Sequence, residues 1–285
     1  MSATVRPPVE SPRLRPLARF GTVFTWGVKR AARTRKFAAA ALISIAGGYG
    51  LGSLLVGTEA ATYDLWDFLQ NGLLGVAVPL VALGLVGTGF GEEVQDQTIL
   101  WHLVRPVSRT TVFVARYAAG AATGAACAAG MALAVILGSR IDVPGAAVAG
   151  TVASAALGTV TTGAVYYALA ALFRRGLVAG LVYTFVVEGF FQGLPGTIQK
   201  LALSHHVRSV FHRLTDADFS ALSPAIAKEV RDGPPLIFDT TAMRAIDPEP
   251  WTSLEGALIV CACAALGALW IGARRVRRRD FALKE

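Results

Sequence analysis

Apolar runs of about twenty residues or more recur along this chain, and short Arg- and Lys-rich segments lie between alternate pairs of them. No single water-soluble core can bury so many runs on all sides. A bilayer can, and a backbone crossing it as single segments must satisfy its own hydrogen bonds, so the pattern predicts an all-α polytopic membrane protein. Hydrophobic residues make up 54% of the sequence and charged residues 16%, which excludes an ordinary soluble globule. The formal net charge of +8 could point to nucleic acid. Its cations sit directly beside apolar runs, however, where they orient the chain and meet anionic lipid headgroups, so no nucleic-acid role is expected.

Residues 1–36 divide into a Pro- and Arg-rich cytoplasmic tail, with no cleavable signal, and an amphipathic interfacial helix. In that helix Leu17, Phe20, Val23, Phe24, Val28 and Ala31 recur at helical spacing, while Arg19, Lys29, Arg30 and Arg33 crowd the other side or the end. The first span is predicted at 37–56, the second at 72–90, the third at 111–138, the fourth at 145–173 and the sixth at 254–273. Between the first two, Glu59, Asp64 and Asp67 with no Lys or Arg suit an external loop. The fifth span is irregular: from Gly176 the apolar run lasts only to Val187, then Glu188 interrupts it, and Gly189, Gly193, Pro195 and Gly196 break any regular helix. A short helix with a partly re-entrant continuation is tolerable there only if buried in protein or lining a wet cavity.

Basic clusters fall at Lys29 to Lys36, Arg105 to Arg116, Arg174 and Arg175, and Arg274 to Arg279. By the inside-positive bias they put both termini in the cytoplasm, with six spans between them. Transmembrane helices 1–5 thus occupy 37–199, an extracytoplasmic cap with short helices 200–252, helix 6 253–273, and a basic cytoplasmic tail 274–285. Small residues at four-residue spacing, Gly48 with Gly52 and Gly120 with Gly124, offer smooth faces for close helix contact, either inside an Ala-rich bundle or at a dimer face.

One charged segment lies between the second and third spans: 91–116, GEEVQDQTILWHLVRPVSRTTVFVAR. Glu92, Glu93 and Asp96 favour a helix N-terminus, and Pro106 ends or kinks that helix a few turns later. The run from Glu93 through Thr98 to Pro106 and Arg109 resembles the loop after the second span of type-2 ATP-binding-cassette (ABC) permeases, whose pattern is Glu, Gly-Thr-Leu, a leucine pair, Pro-Val-Ser-Arg, then Lys. Gln97 stands where that family has Gly, His102 where it has the first Leu of the pair, and Arg116 where it has Lys. The resemblance covers about a tenth of the chain by motif and the rest by hydropathy.

What it implies is a type-2 ABC exporter-like permease in the cell membrane, a bacterial cytoplasmic membrane, with an amphipathic connecting helix before the first span. Such a permease works as a dimer, with an identical or related second permease subunit and two copies of an ABC ATP-binding subunit. Glu93, Thr98, Pro106 and Arg109 would couple the chain to that ATPase, with Ile99, Leu100, Trp101 and Leu103 as neighbouring contacts. The sequence carries no G-x-x-x-x-G-K-[ST] phosphate loop, so the chain itself is not expected to be an enzyme, and ATP and Mg belong on the partner subunit.

Glu188 is the costliest ionisable group in the apolar part of the chain and marks either a transport pathway or an outer headgroup site. Glu92 and Glu93 are adjacent and cannot form an acid/base pair across one substrate on a regular helix. His205 and His212 fall two helical turns apart, roughly 10 Å along an axis, too far to share one ion, so no metal is expected and the histidines are read as solvated surface groups. Cys127, Cys261 and Cys263 lie in apolar runs and read as packing residues. Two other functions fit the same architecture: an ATP-independent secondary transporter or channel, and a non-transporting membrane anchor of a larger machine.

Overall fold

A computed structural model of the chain describes residues 16–55, 61–87, 108–173, 175–193, 196–215 and 252–278. It is almost entirely helical, 93%, and no strand occurs among the described residues, so the core is made wholly by helix packing. Among the described residues five helices are long and apolar enough to cross a membrane, consistent with a multi-pass membrane protein. The predicted N-terminal tail over 1–15, the segment 91–107, the helical patch at 223–230 and the tail 279–285 lie outside the described residues.

Helix α1, Pro16–Ala32, forms where the amphipathic pattern predicted it, with Phe20 and Phe24 stacked one turn apart at 6.3 Å. Thr34 turns the chain and caps α2, Arg35–Leu54, by accepting the Phe37 amide at 3.2 Å. Helix α3 is continuous over 61–87 but changes geometry along its length: α-helical at Ala61–Asp67 and Val78–Ala82, and π-helical at Phe68–Ala77 and Leu83–Gly87. It therefore begins well before the predicted second span. Asp64 and Asp67 lie in the helix rather than in an external loop; the Asn71 amide donates to Asp67 at 2.7 Å, so these polar residues bond along the helix instead of breaking it.

Helix α4, Arg109–Ser139, starts where the Ser108 hydroxyl accepts the Thr111 amide at 3.1 Å and ends at Arg140, whose left-handed φ of 54° stops it. Its 31 residues rise about 46 Å, longer than a hydrocarbon core of about 30 Å, so it tilts or projects. Pro144 opens α5, Gly145–Leu172, the most buried of the long helices. Helix α6 covers 176–193, with a π-helical turn at Tyr183–Glu188. A short 3₁₀ turn, Gly196–Leu201, leads to α7, Leu203–Thr215, and α8 is Leu254–Arg278. The last helix runs on past the predicted end at 273 because its basic residues continue the helix rather than end it.

Small residues set the neighbours. Ser44, Gly48 and Gly52 are the buried residues of α2, and they lie on α4: a Cβ at Gly48 would stand 2.9 Å from the Met131 carbonyl oxygen. Gly52 meets the Val135 carbonyl and Gly138 the Tyr49 carbonyl in the same seam, so α2 and α4 run parallel. Gly120 and Gly124 face Val86 and Leu85 of α3. Both glycine pairs are thus used inside the bundle, which decides between the two uses the sequence left open. Along α5, Gly150 touches Leu214, Gly158 touches Val207 and Val78, and Gly163 touches Val86, so α5 is the spine against which α3 and α7 are set. Gly272 of α8 rests on Ala168 and Phe113.

These pairings bring the N-termini of α2, α4 and α6 and the C-termini of α3, α5 and α8 to one end of the bundle. Lys29, Arg30, Arg33, Arg35, Lys36, Arg109, Arg116, Arg175, Arg274, Arg275, Arg277 and Arg278 all gather there. The other end carries Asp64, Asp67, Asp142 and Glu255, with Arg140 and Arg213. Helix α5 ends at the basic end and α8 starts at the other, so the chain between them must traverse the bundle. It does so in two pieces, α6 and α7.

Candidate functional site

The junction of those two pieces is the most polar place inside the apolar bundle. Helix α6 leaves the basic end with Gly180 packed on Leu83 and Tyr166, and the Tyr166 hydroxyl shares a 2.7 Å hydrogen bond with Thr184. One turn on, Glu188 is 4% exposed. Its carboxylate accepts four hydrogen bonds: from the Tyr183 hydroxyl at 2.6 Å, the Leu203 amide at 3.2 Å, the Ser204 amide at 3.0 Å and the Ser204 hydroxyl at 2.6 Å. Leu203 and Ser204 are the first residues of α7. Glu188 is therefore an N-terminal cap supplied by a neighbouring helix, placed where exposed amides and the helix dipole both favour an anion. Tyr183→Phe removes one of the four donors and leaves the ring packed on Tyr166; a loss of about 1 kcal/mol is expected by thermal unfolding of the detergent-solubilised chain.

Helix α7 departs furthest from the sequence reading. Leu203 to Phe211 are all buried, so His205 and His206 are interior groups and not the solvated histidines expected. The expectation failed because LSHHVRSVFHRLT has a polar face as well as an apolar one, and a polar face ordinarily meets water; here α5 and α8 cover one side and α3 another. The polar groups are met by the bundle. His206 Nε2 lies 2.8 Å from the Lys200 carbonyl oxygen and its Nδ1 3.4 Å from the Thr252 hydroxyl. His212 Nε2 lies 3.1 Å from Gln70 Oε1, a buried amide on the π-helical stretch of α3. Arg208, 4% exposed, lays its guanidinium against Gly75, where no side chain stands in the way.

The π-helical geometry at Phe68–Ala77 is part of this arrangement. Its i→i+5 bonding, shown by Val78 donating to Leu73, re-aims the α3 residues, and Gln70 and Gly75 both face α7 there. Sequence reasoning found Glu188 but not Tyr183, Ser204, Arg208 or Gln70. Ser204 lies sixteen positions from Glu188 and Gln70 lies 142 from His212, and no local spacing encodes either pairing. The signal that was present is the run of polar residues on a helix whose Leu203, Val207, Val210 and Phe211 still keep helical spacing.

Of the residues assigned to coupling, Glu93, Thr98, Ile99, Leu100, Trp101, Leu103 and Pro106 lie outside the described residues. Arg109 is the first residue of α4, directly after its Ser108 cap and at the basic end. Among the described residues no group of three or more His, Cys, Asp or Glu side chains is placed to hold a metal ion. In chemical terms the junction offers a buried carboxylate engaged as an acceptor, a buried guanidinium and three imidazoles on one short helix. Compared with known proteins, the chain matches no family profile and no curated protein.

Proposed function

We propose that this chain is the membrane-spanning permease subunit of an ATP-driven transporter of the type-2 ABC kind, an exporter, working as a dimer with separate ATP-binding subunits. The observation that carries the reading is where the α3–α4 connection leaves the bundle. Helix α3 ends at Gly87 and α4 begins at Arg109, both at the basic end, so the segment bearing Glu93, Thr98, Pro106 and Arg109 joins the bundle where the cations gather. Under the inside-positive bias that end faces the cytoplasm, within reach of a soluble ATPase. The chain then crosses six times with both termini inside, the fifth crossing being α6 and α7 together. Exposed apolar residues on α2, such as Leu42, Ile43 and Leu54, and on α8, such as Ile259, Leu266 and Trp270, suit lipid or a second permease subunit.

Purification of the tagged chain from its native membrane in nanodiscs, followed by mass spectrometry and an ATPase assay, tests this directly. A stoichiometric cytosolic protein with a phosphate loop is the expected companion. Glu93→Lys and Arg109→Ala are each expected to weaken its capture by roughly tenfold or more, while the spans stay inserted. Wild-type capture and transport in both variants would remove the coupling role.

A second reading has its own support. A broken segment whose helix start lies inside the bundle, with Glu188 and Arg208 buried beside it, is also how ATP-independent transporters build a substrate or ion site. A chain that purifies without an ATPase and moves solute in liposomes without ATP would favour it.

A further inference from the structure

At the basic end, the elbow between α1 and α2 holds a shaped hollow. Trp26, Lys29, Arg30, Arg33 and Thr34 line an open cavity of about 430 Å³. Its aromatic wall is held from two sides: the Arg30 guanidinium lies 5.3 Å from the Trp26 ring centre, and that of Arg116, from α4, lies 5.1 Å from it. Gly27 brings α1 close enough to α4 for this, with Ala119 Cβ only 2.8 Å from where a Cβ would stand. The floor is the turn at Thr34, whose hydroxyl donates to the Ala31 carbonyl at 2.7 Å and accepts the Phe37 amide at 3.2 Å. This places the start of the 20-residue helix α2, the positive end of its dipole, at the cavity, together with exposed Lys29 and Arg33.

We propose that this elbow binds the phosphate-bearing headgroup of an anionic membrane phospholipid. The ligand chemistry follows from the walls. Three cations and a helix start select a negative charge, guanidinium groups match phosphate oxygens, and a half-exposed indole suits the headgroup level of a bilayer, where an aromatic ring can rest beside a lipid backbone. Exposed apolar residues begin on α2 just beyond, at Leu42, Ile43 and Ile45, so acyl chains attached to a headgroup in the elbow would have an apolar surface to run along. A bound lipid would pin the end of α1 to the start of α2. The inference needs only that the basic end lies at a membrane surface, and it does not depend on what, if anything, the bundle transports.

The test uses the full chain in detergent, delipidated and then titrated with phosphatidylglycerol, phosphatidylcholine or inorganic phosphate, with retained lipid read by native mass spectrometry. Phosphatidylglycerol is expected to be retained and phosphatidylcholine not. The double variant Lys29→Gln/Arg33→Gln is expected to lose affinity about 25-fold, roughly fivefold for each cation removed. A control that removes two exposed cations elsewhere at the same end, Arg275→Gln/Arg278→Gln, is expected to keep it. Equal loss in the control would reduce the site to a diffuse field and overturn the proposal. So would equal retention of phosphatidylcholine, unchanged affinity in the elbow variant, or displacement of the lipid by millimolar inorganic phosphate alone.

Discussion

Glu188→Ala is expected to lower the stability of the detergent-purified chain by about 3–5 kcal/mol, and Glu188→Gln by about 1–2 kcal/mol. The difference comes from what each leaves behind. Alanine removes the acceptor for the Tyr183 hydroxyl, the Leu203 and Ser204 amides and the Ser204 hydroxyl in a place with almost no access to water. Each hydrogen bond to a charged group contributes about 1.5–3 kcal/mol in water-soluble proteins, but the same contacts inside membrane bundles average well below that, so the four do not add to the larger sum. Glutamine keeps a carbonyl acceptor for one side of the cap and turns an amide toward donors on the other. It also removes the negative charge that faces the α7 dipole.

Thermal unfolding of the three proteins in one detergent checks the order wild type, Gln, Ala, and transport in liposomes adds the functional reading. A role in the translocation pathway requires that Glu188→Gln impair transport at temperatures where the variant is fully folded. Should Glu188→Ala melt with the wild type, the capping role would be gone. Ser204→Ala is a companion: it deletes the hydroxyl but keeps both amides on the carboxylate, and a loss of about 1 kcal/mol is expected.

The elements that sequence reasoning placed well are those whose apolar length is their whole message. Helices α2, α4, α5 and α8 start within a few residues of prediction, and α1 follows its helical stripe, because long runs with few charges leave an unbroken hydropathy signal whether a side chain packs in the bundle or faces outward. Two features resisted. The first turns of α3 carry Asp64, Asp67, Gln70 and Asn71, and their polarity hid a helix whose side chains bond along itself and to α7. Helix α7 carries His205, His206, Arg208 and His212, and its composition pointed outward although its partners lie inward. The two failures meet at one contact, where His212 and Gln70, from distant parts of the chain, satisfy each other. Glu188 was legible as an anomaly, since a carboxylate amid Val186, Val187 and Phe190 must have a reason. That the reason includes the start of another helix depends on Leu203 and Ser204, fifteen and sixteen positions on, reaching Glu188, which no periodicity records.

Gly52→Leu is expected to cost about 3 kcal/mol, the top of the usual range for overpacking, while Gly50→Ala two positions away is expected to be neutral or to stabilise by up to about 1 kcal/mol. The contrast isolates the seam between α2 and α4. Nothing lies within 4 Å of a Cβ at Gly50, so alanine there only restricts the unfolded chain and improves helix propensity. At Gly52 the obstacle is the Val135 carbonyl, with the Ser139 amide 3.0 Å away, and backbone cannot rotate aside as a side chain can. The whole of α2 would have to move, and the contacts at Gly48 with the Met131 carbonyl oxygen, Met131 Cγ and Ala134 Cβ would open with it. Since Ser44, Gly48 and Gly52 are the only buried residues of α2, the described residues give the helix no second face to hold it in place. Thermal unfolding of both variants, read with a disulfide trap between cysteines at 44 and the facing turn of α4, checks the result. A Gly52→Leu protein that melts and cross-links as the wild type does would mean that α2 is held by something other than this seam.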